Sequence, residues 1–113
     1  MRDTNHIFLS CTVLMEPQPF GGDGTAAGCE INVVVHDEWK NADGSPGHRE
    51  DFFGIVAYGP VTKRALTLNV GDRIMVTGTL RSESLPKTDG KVERKTKVRA
   101  NSIEHLRRIT NTK

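Results

Sequence analysis

The sequence lacks the usual marks of a membrane protein, a secreted scaffold or an enzyme. Only 35% of its 113 residues are hydrophobic and 27% are charged, which is lean in core material yet still globular. No apolar run approaches the roughly 18 residues of a membrane span. Met1-Arg2-Asp3-Thr4 leads into no signal-peptide core, so the reading predicts a soluble, intracellular, cytoplasmic protein with no membrane partner. Cysteine is scarce too: Cys11 and Cys29 stand far apart in apolar segments. A secreted scaffold of this size carries more cysteines and a zinc site needs close pairs, so both read as buried free thiols. His6, His36, His48 and His105 sit in unrelated contexts, with no H-E-x-x-H, G-x-S-x-G or G-x-x-x-x-G-K-[ST]. Gly21-Gly22-Asp23-Gly24 is followed by neither a helix nor a suitably spaced lysine, so it reads as a loop. No catalytic residue, metal ligand or cofactor is expected.

Glycine and proline, by contrast, are plentiful: eleven and five, spread along the chain. They divide it into short elements. Ile7 to Met15 is β-branched and apolar and stops at Pro17-Gln18-Pro19, which predicts a first strand. A glycine-rich loop from Phe20 to Gly28 leads to a second strand around Ile31–Val35. The segment from Lys40 to Arg49 carries Asp43-Gly44 and Pro46-Gly47 and reads as a turn-rich connection. A third strand is expected from about Glu50 to Tyr58. After Gly59-Pro60, Val61 to Leu68 is the one segment with helical spacing, Val61, Ala65 and Leu68 sharing a face. Asp72 to Ser82 alternates cleanly as a fourth strand. Asp89-Gly90-Lys91 marks a hairpin within a basic stretch, and Val98 to Leu106 closes as the last strand.

Three strands, a short helix and two more strands predict an all-β chain, a five-stranded OB-fold barrel with its helix between strands three and four. One domain is expected over residues 1–106, with a short polar basic tail over 107–113.

The net charge of +2 conceals an asymmetry. Residues 1–80 hold six Lys/Arg against ten Asp/Glu, whereas residues 81–113 hold ten against four. A local cationic excess of this kind is a candidate phosphate-binding surface. Alternation sorts the third strand into Phe52, Gly54, Val56 and Tyr58 on one face and Phe53, Ile55 and Ala57 on the other. The second set reads as core. The first has two rings flanking a glycine, a surface that something flat can approach. Phe8 reads as core, while Phe20 sits in a glycine-rich loop where it can touch a ligand or plug the barrel.

With these elements placed, the sequence resembles the bacterial and phage single-stranded DNA-binding protein family over about residues 5 to 106. The resemblance rests on Asn5-His6-Ile7 leading to Glu16-Pro17-Gln18, on Trp39-Lys40, on Asp51-Phe52 and on Tyr58-Gly59. Its most specific part is the run Val70-Gly71-Asp72-Arg73-Ile74-Met75-Val76-Thr77-Gly78-Thr79-Leu80-Arg81-Ser82. Cys11 stands where the family usually has glycine, and Leu85 where it often has an aromatic. Cellular members end in a flexible linker and an acidic tip. This sequence closes on Asn111-Thr112-Lys113, an ending that a phage-encoded or accessory paralogue, or a shortened chain, would explain.

The resemblance implies binding of single-stranded DNA without sequence preference, in replication, recombination or repair, with no catalysis. Such binding needs rings for bases and cations for phosphates. The expected stacking residues are Trp39, Phe52, Tyr58 and Phe20. The expected phosphate contacts are Lys40, Arg49, Arg81, Lys87, Lys91, Arg94, Lys95 and Lys97. The alternatives are a primosomal-type OB protein, acting mainly through replication partners, and an RNA-binding OB domain. A single OB domain covers only about 4–16 nucleotides, so the family's habit of assembling predicts a homo-oligomer, tetramer before dimer. The first strand reads as apolar on both faces and is expected near the interface.

Overall fold

The computed structural model describes residues 1–22 and 27–108, with Leu85 described by its backbone alone. Part of the predicted glycine-rich loop and the tail beyond Arg108 lie outside the described residues, as does the side chain of Leu85.

Strand β1 (Ile7–Val13) alternates: Ile7, Leu9, Cys11 and Val13 turn inward while Phe8, Ser10 and Thr12 turn outward. The expectation of two apolar faces, which rested on Ile7-Phe8-Leu9 and Val13-Leu14-Met15, holds only at Phe8, since Leu14 and Met15 fall beyond the strand and are exposed. Phe8 is likewise not core; it lies on the outward register and is 66% exposed. A short β2 (Gln18–Phe20), which the sequence did not announce, pairs with the start of β3. Strands β3 (Gly28–Lys40) and β4 (Pro46–Tyr58) form an unbroken antiparallel ladder from Gly28↔Tyr58 to Lys40↔Pro46. Half of the segment read as a turn-rich connection is thus strand. Only Asn41–Ser45 turns, with Gly44 at φ 87° and Asp43 Oδ1 accepting from the Ser45 amide at 3.0 Å. The Ser45 hydroxyl, donating to Oδ1 at 2.6 Å, and this amide together hold the Asp43 carboxyl below its ordinary range.

Gly59 takes φ 61°, and Pro60 opens helix α1 (Pro60–Ala65) where its missing amide costs nothing. The helix is shorter than the Val61–Leu68 expected, yet the shared face is right: Ala65 and Leu68 are buried and Val61 packs beside the core. Strands β5 (Arg73–Pro86) and β6 (Val92–Arg107) make a second long hairpin. Its register shifts between Thr77 and Gly78, where a Cβ on Gly78 would collide with the Arg99 carbonyl. Only glycine permits that approach.

The strand order is β1-β5-β6-β4-β3-β2, and β1 also pairs with β3 through Thr12 and Val13, which closes the barrel. A short parallel seam, Ile55–Ala57 against Val98–Ala100, joins the two hairpins. This is the expected OB barrel, with the helix between the third and fourth long strands. Its core is Cys11, Val13, Ile31, Val33, Ile55, Ile74, Val76 and Val98 with their neighbours, none more than 4% exposed. Both cysteines are free and buried, and burial pushes the Cys11 thiol up to about 11. Under the barrel, the buried Asp72 carboxylate accepts from the Asn69 amide at 2.9 Å and faces His105 Nε2 at 3.3 Å. No described helix is long and apolar enough to cross a membrane, and no described cluster of His, Cys, Asp and Glu could hold a metal.

Candidate nucleic-acid interface

The outward faces of β3, β4, β5 and β6 meet on one side of the barrel. The ladders place Glu30, Asn32 and Val34 of β3 beside Val56, Gly54 and Phe52 of β4, and Gly28 beside Tyr58. Across the parallel seam Val56 sits opposite Arg99, which pairs with Thr79 of β5, while Lys97 pairs with Arg81. Along this seam runs a groove of about 470 Å³, floored by Val56 and Val98 and walled by Tyr58, Arg81, Lys97 and Arg99. The Arg99 guanidinium lies 5.2 Å from the centre of the Tyr58 ring. A cation over a half-exposed ring offers a base and its phosphate adjoining contacts.

Phe20 belongs to the same site. Its ring lies edge-on to Tyr58 with centroids 5.6 Å apart, and it covers Gly28, where a Cβ would collide with it. Phe52 is on the same face, 64% exposed, about 20 Å from Tyr58 at roughly 3.3 Å per residue. Gly54 lies between them and leaves the strand surface low.

Trp39 is placed elsewhere. The ladder puts it opposite Gly47, in the register set of Phe53 and Val35, so it faces the other side of the β3–β4 ribbon from Phe52 and Tyr58. Its ring covers Gly47, and Nε1 donates to Asn41 Oδ1 at 2.9 Å. It remains 45% exposed. Phe53 departs from expectation: read as core, it is 40% exposed, because β6 pairs with β4 only from Ile55 to Ala57 and leaves Phe53 without a neighbour on that side.

The cations divide in the same way. Arg81, Lys95 and Lys97 lie on the groove register of the β5–β6 hairpin, whereas Arg94 faces the opposite side. Lys87 and Lys91 flank its turn, with the Lys87 amide donating to the Lys91 carbonyl at 2.8 Å. Lys40 shares the register of Phe52, and Arg49 that of Trp39. Three cations have acidic partners: Arg49 with Asp51 at 3.0 Å, Lys87 with Glu93 at 3.8 Å and Lys97 with Glu30 at 3.3 Å. The first two pairs are exposed and worth little. Arg99, at the centre of the groove, was not among the expected residues. The alternation Lys97, Val98, Arg99, Ala100 would have found it, since Val98 and Ala100 are buried and the cations between them must face out.

The sequence pattern of the single-strand binding protein family matches residues 4–106. No curated protein sequence matches the chain. Among solved structures, the fold is similar to a single-stranded DNA-binding protein of Plasmodium falciparum in complex with single-stranded DNA. That likeness has a TM-score of 0.77 and 18% identity, covering 95% of this chain and 96% of the other. The wild-type single-stranded DNA-binding protein of Thermus aquaticus gives a TM-score of 0.76 at 24% identity, over 94% of this chain but 52% of the longer one. The small single-stranded DNA-binding protein of Streptomyces coelicolor gives 0.67 at 20% identity, covering 88% and 92%.

Proposed function

The chain belongs to the single-strand binding protein family, whose members bind single-stranded DNA, form oligomers and catalyse nothing, and on that premise we propose how this protein does its binding. The strand runs along the outer face of β4. Bases stack on Tyr58 and Phe52, with Phe20 steadying the Tyr58 ring, and phosphates meet Arg81, Arg99, Lys95 and Lys97. The observation that carries this reading is the groove where Tyr58 and Arg99 stand together above Val56, with Arg81 and Lys97 beside them. Flat rings and point charges read neither base pattern nor sugar, so the binding is broadly sequence-tolerant.

Lys87, Lys91 and Arg94 extend the cationic surface along the β5–β6 arm. Lys40, Arg49 and Trp39, at the tip of the β3–β4 arm, meet a strand that wraps beyond the groove. Assembly supplies the rest of the footprint: from Ile7 to Cys11, β1 pairs with β5 on one side and, among the described residues, with nothing on the other. An edge of that kind takes a second copy, in a tetramer or a dimer. The protein then acts in the cytoplasm, at the nucleoid, in replication, recombination or repair, beside the other proteins of those processes.

Titration of a fluorescent dT oligomer, followed by anisotropy at rising salt, tests this. Binding that weakens with salt is expected, and Tyr58→Ala lowers the affinity. Absence of binding at low salt overturns it.

A further inference from the structure

The surface along β4 does not close at Tyr58. The chain turns through Gly59 into Pro60, and Pro60 lines two further hollows that follow one another over α1. The first, of about 250 Å³, lies between Pro60 and Arg64 of the helix and Asn101 and Ser102 of β6. The second, of about 390 Å³, is bounded by Pro60, Lys63, Arg64, Thr67 and Arg108. Both walls of the groove lead there. Tyr58 is two residues from Pro60 along the chain, and Arg99 is two residues from Asn101 along β6. Arg99 and Asn101 are both exposed, with the buried Ala100 between them. Arg64 lines both hollows and so joins them.

The chemistry changes along this course. Among the described residues no aromatic ring lines either hollow, so nothing there stacks a base. The second hollow offers charge instead. Lys63, Arg64 and Arg108 stand around it, all exposed, and no described Asp or Glu does. Among the described residues none of the three forms a salt bridge, unlike Arg49, Lys87 and Lys97. Like charges gathered without a counter-charge repel one another, and an arriving polyanion relieves that repulsion. Two of the three, Lys63 and Arg64, stand in the otherwise acidic first 80 residues, so the cluster is not a by-product of the basic C-terminal part.

Resting on the groove proposed above, we infer that single-stranded DNA leaving it past Tyr58 continues over α1, where Arg64, Lys63 and Arg108 hold its phosphates. This second site binds backbone alone and takes any base. The groove holds the strand and the helix catches what emerges, so the second contact forms at a raised effective concentration. Its contribution therefore depends on length: a strand too short to pass Pro60 gains nothing from it.

The test uses the full chain with Lys63→Gln, Arg64→Gln and Arg108→Gln combined. All three side chains are exposed, so the variant keeps its fold. Anisotropy titrations compare a labelled dT oligomer that just fills one groove with a longer one. The variant is expected to bind the short oligomer as the unaltered chain does. It is expected to bind the long one about ten- to a hundredfold less tightly at about 0.1 M salt, with a log–log salt slope shallower by about 2, or about 0.7 for each of three phosphates. An unchanged affinity and slope for the long oligomer overturn the inference. Equal loss for both lengths overturns it too, because the cluster then acts on the groove as a general field. If a labelled poly-glutamate peptide binds the unaltered chain but not the variant, while the long oligomer is unaffected, the cluster serves an acidic protein partner and the inference falls. Tyr58→Ala separates the two levels. If it weakens both lengths while the triple variant changes nothing, the groove stands and the path over α1 fails. If it weakens neither, the groove fails and the path with it.

Discussion

The β3–β4 ladder runs unbroken from Gly28 to Lys40, yet its two halves obey different rules. At the closed end, Ile31, Val33, Ile55 and Ala57 are fully buried. At the open end, Phe52, Phe53 and Trp39 are 64%, 40% and 45% exposed. The backbone hydrogen bonding is the same throughout. What differs is that β1 closes on β3 at Thr12 and Val13, and β6 on β4 between Ile55 and Ala57. Among the described residues β6 leaves β4 uncovered from Gly54 towards the hairpin tip, opposite the point where β1 still closes on β3, and beyond Val34 β3 loses its β1 neighbour as well. Large apolar side chains there do little for stability and are available to a ligand. One pair of strands therefore holds the fold at one end and presents rings at the other.

Substitutions separate the two halves, and the largest expected effect lies in the barrel. Ile55→Ala leaves a cavity among fully packed neighbours and should lower stability by about 2–5 kcal/mol in urea denaturation. Its folded fraction should bind DNA as before. A loss of about 1 kcal/mol or less, below that range, would show that the seam between β4 and β6 is loosely packed.

The contrast is sharpest for Tyr58→Ala and Phe52→Ala. Each should weaken binding to a dT oligomer by about 1–3 kcal/mol, the value of a stacked base. Phe52→Ala should also leave stability within about 0.5 kcal/mol, as surface positions do. If Phe52→Ala instead unfolds the protein, the open end is structural and the division between the halves is wrong.

A smaller effect concerns the other arm. Replacing Lys87, Lys91, Arg94 and Lys95 with glutamine should flatten the log–log salt dependence of binding. Each phosphate that is no longer neutralised reduces the slope by about 0.7 for single strands. An unchanged slope would place the β5–β6 arm off the path of the strand.

The smallest effect belongs to the lone tryptophan. Trp39 faces away from Phe52 and Tyr58, so emission should change little with an oligomer that just fills one groove and drop with a longer one that reaches the hairpin tip. Full quenching by the short oligomer would mean that the ribbon twists Trp39 onto the groove side.

Most of this architecture was legible because the closed half of the molecule follows period two. Ile55 and Ala57 read as core and are core; Ile74 and Val76 alternate as expected. The same rule misplaced Phe53, since alternation names a face and not whether anything covers it. Phe8 was misread because a hydrophobic ring was assigned inward although its neighbours Ile7 and Leu9 already filled the inward register. Glycine and proline misled at Pro46-Gly47, where Gly47 is the partner that makes room for Trp39 across the strands. Among the site residues, Tyr58, Phe52 and Arg81 fell where the pattern put them. Arg99 was missed because runs of charge stand out in a sequence, and it stands alone between two buried residues.

Gly78 has a mechanical consequence. Because a Cβ there would collide with the Arg99 carbonyl, any other residue at 78 would push β5 away from β6 where the barrel gives way to the β5–β6 arm. The direction in which that arm leaves the barrel therefore depends on the absence of a side chain at one position.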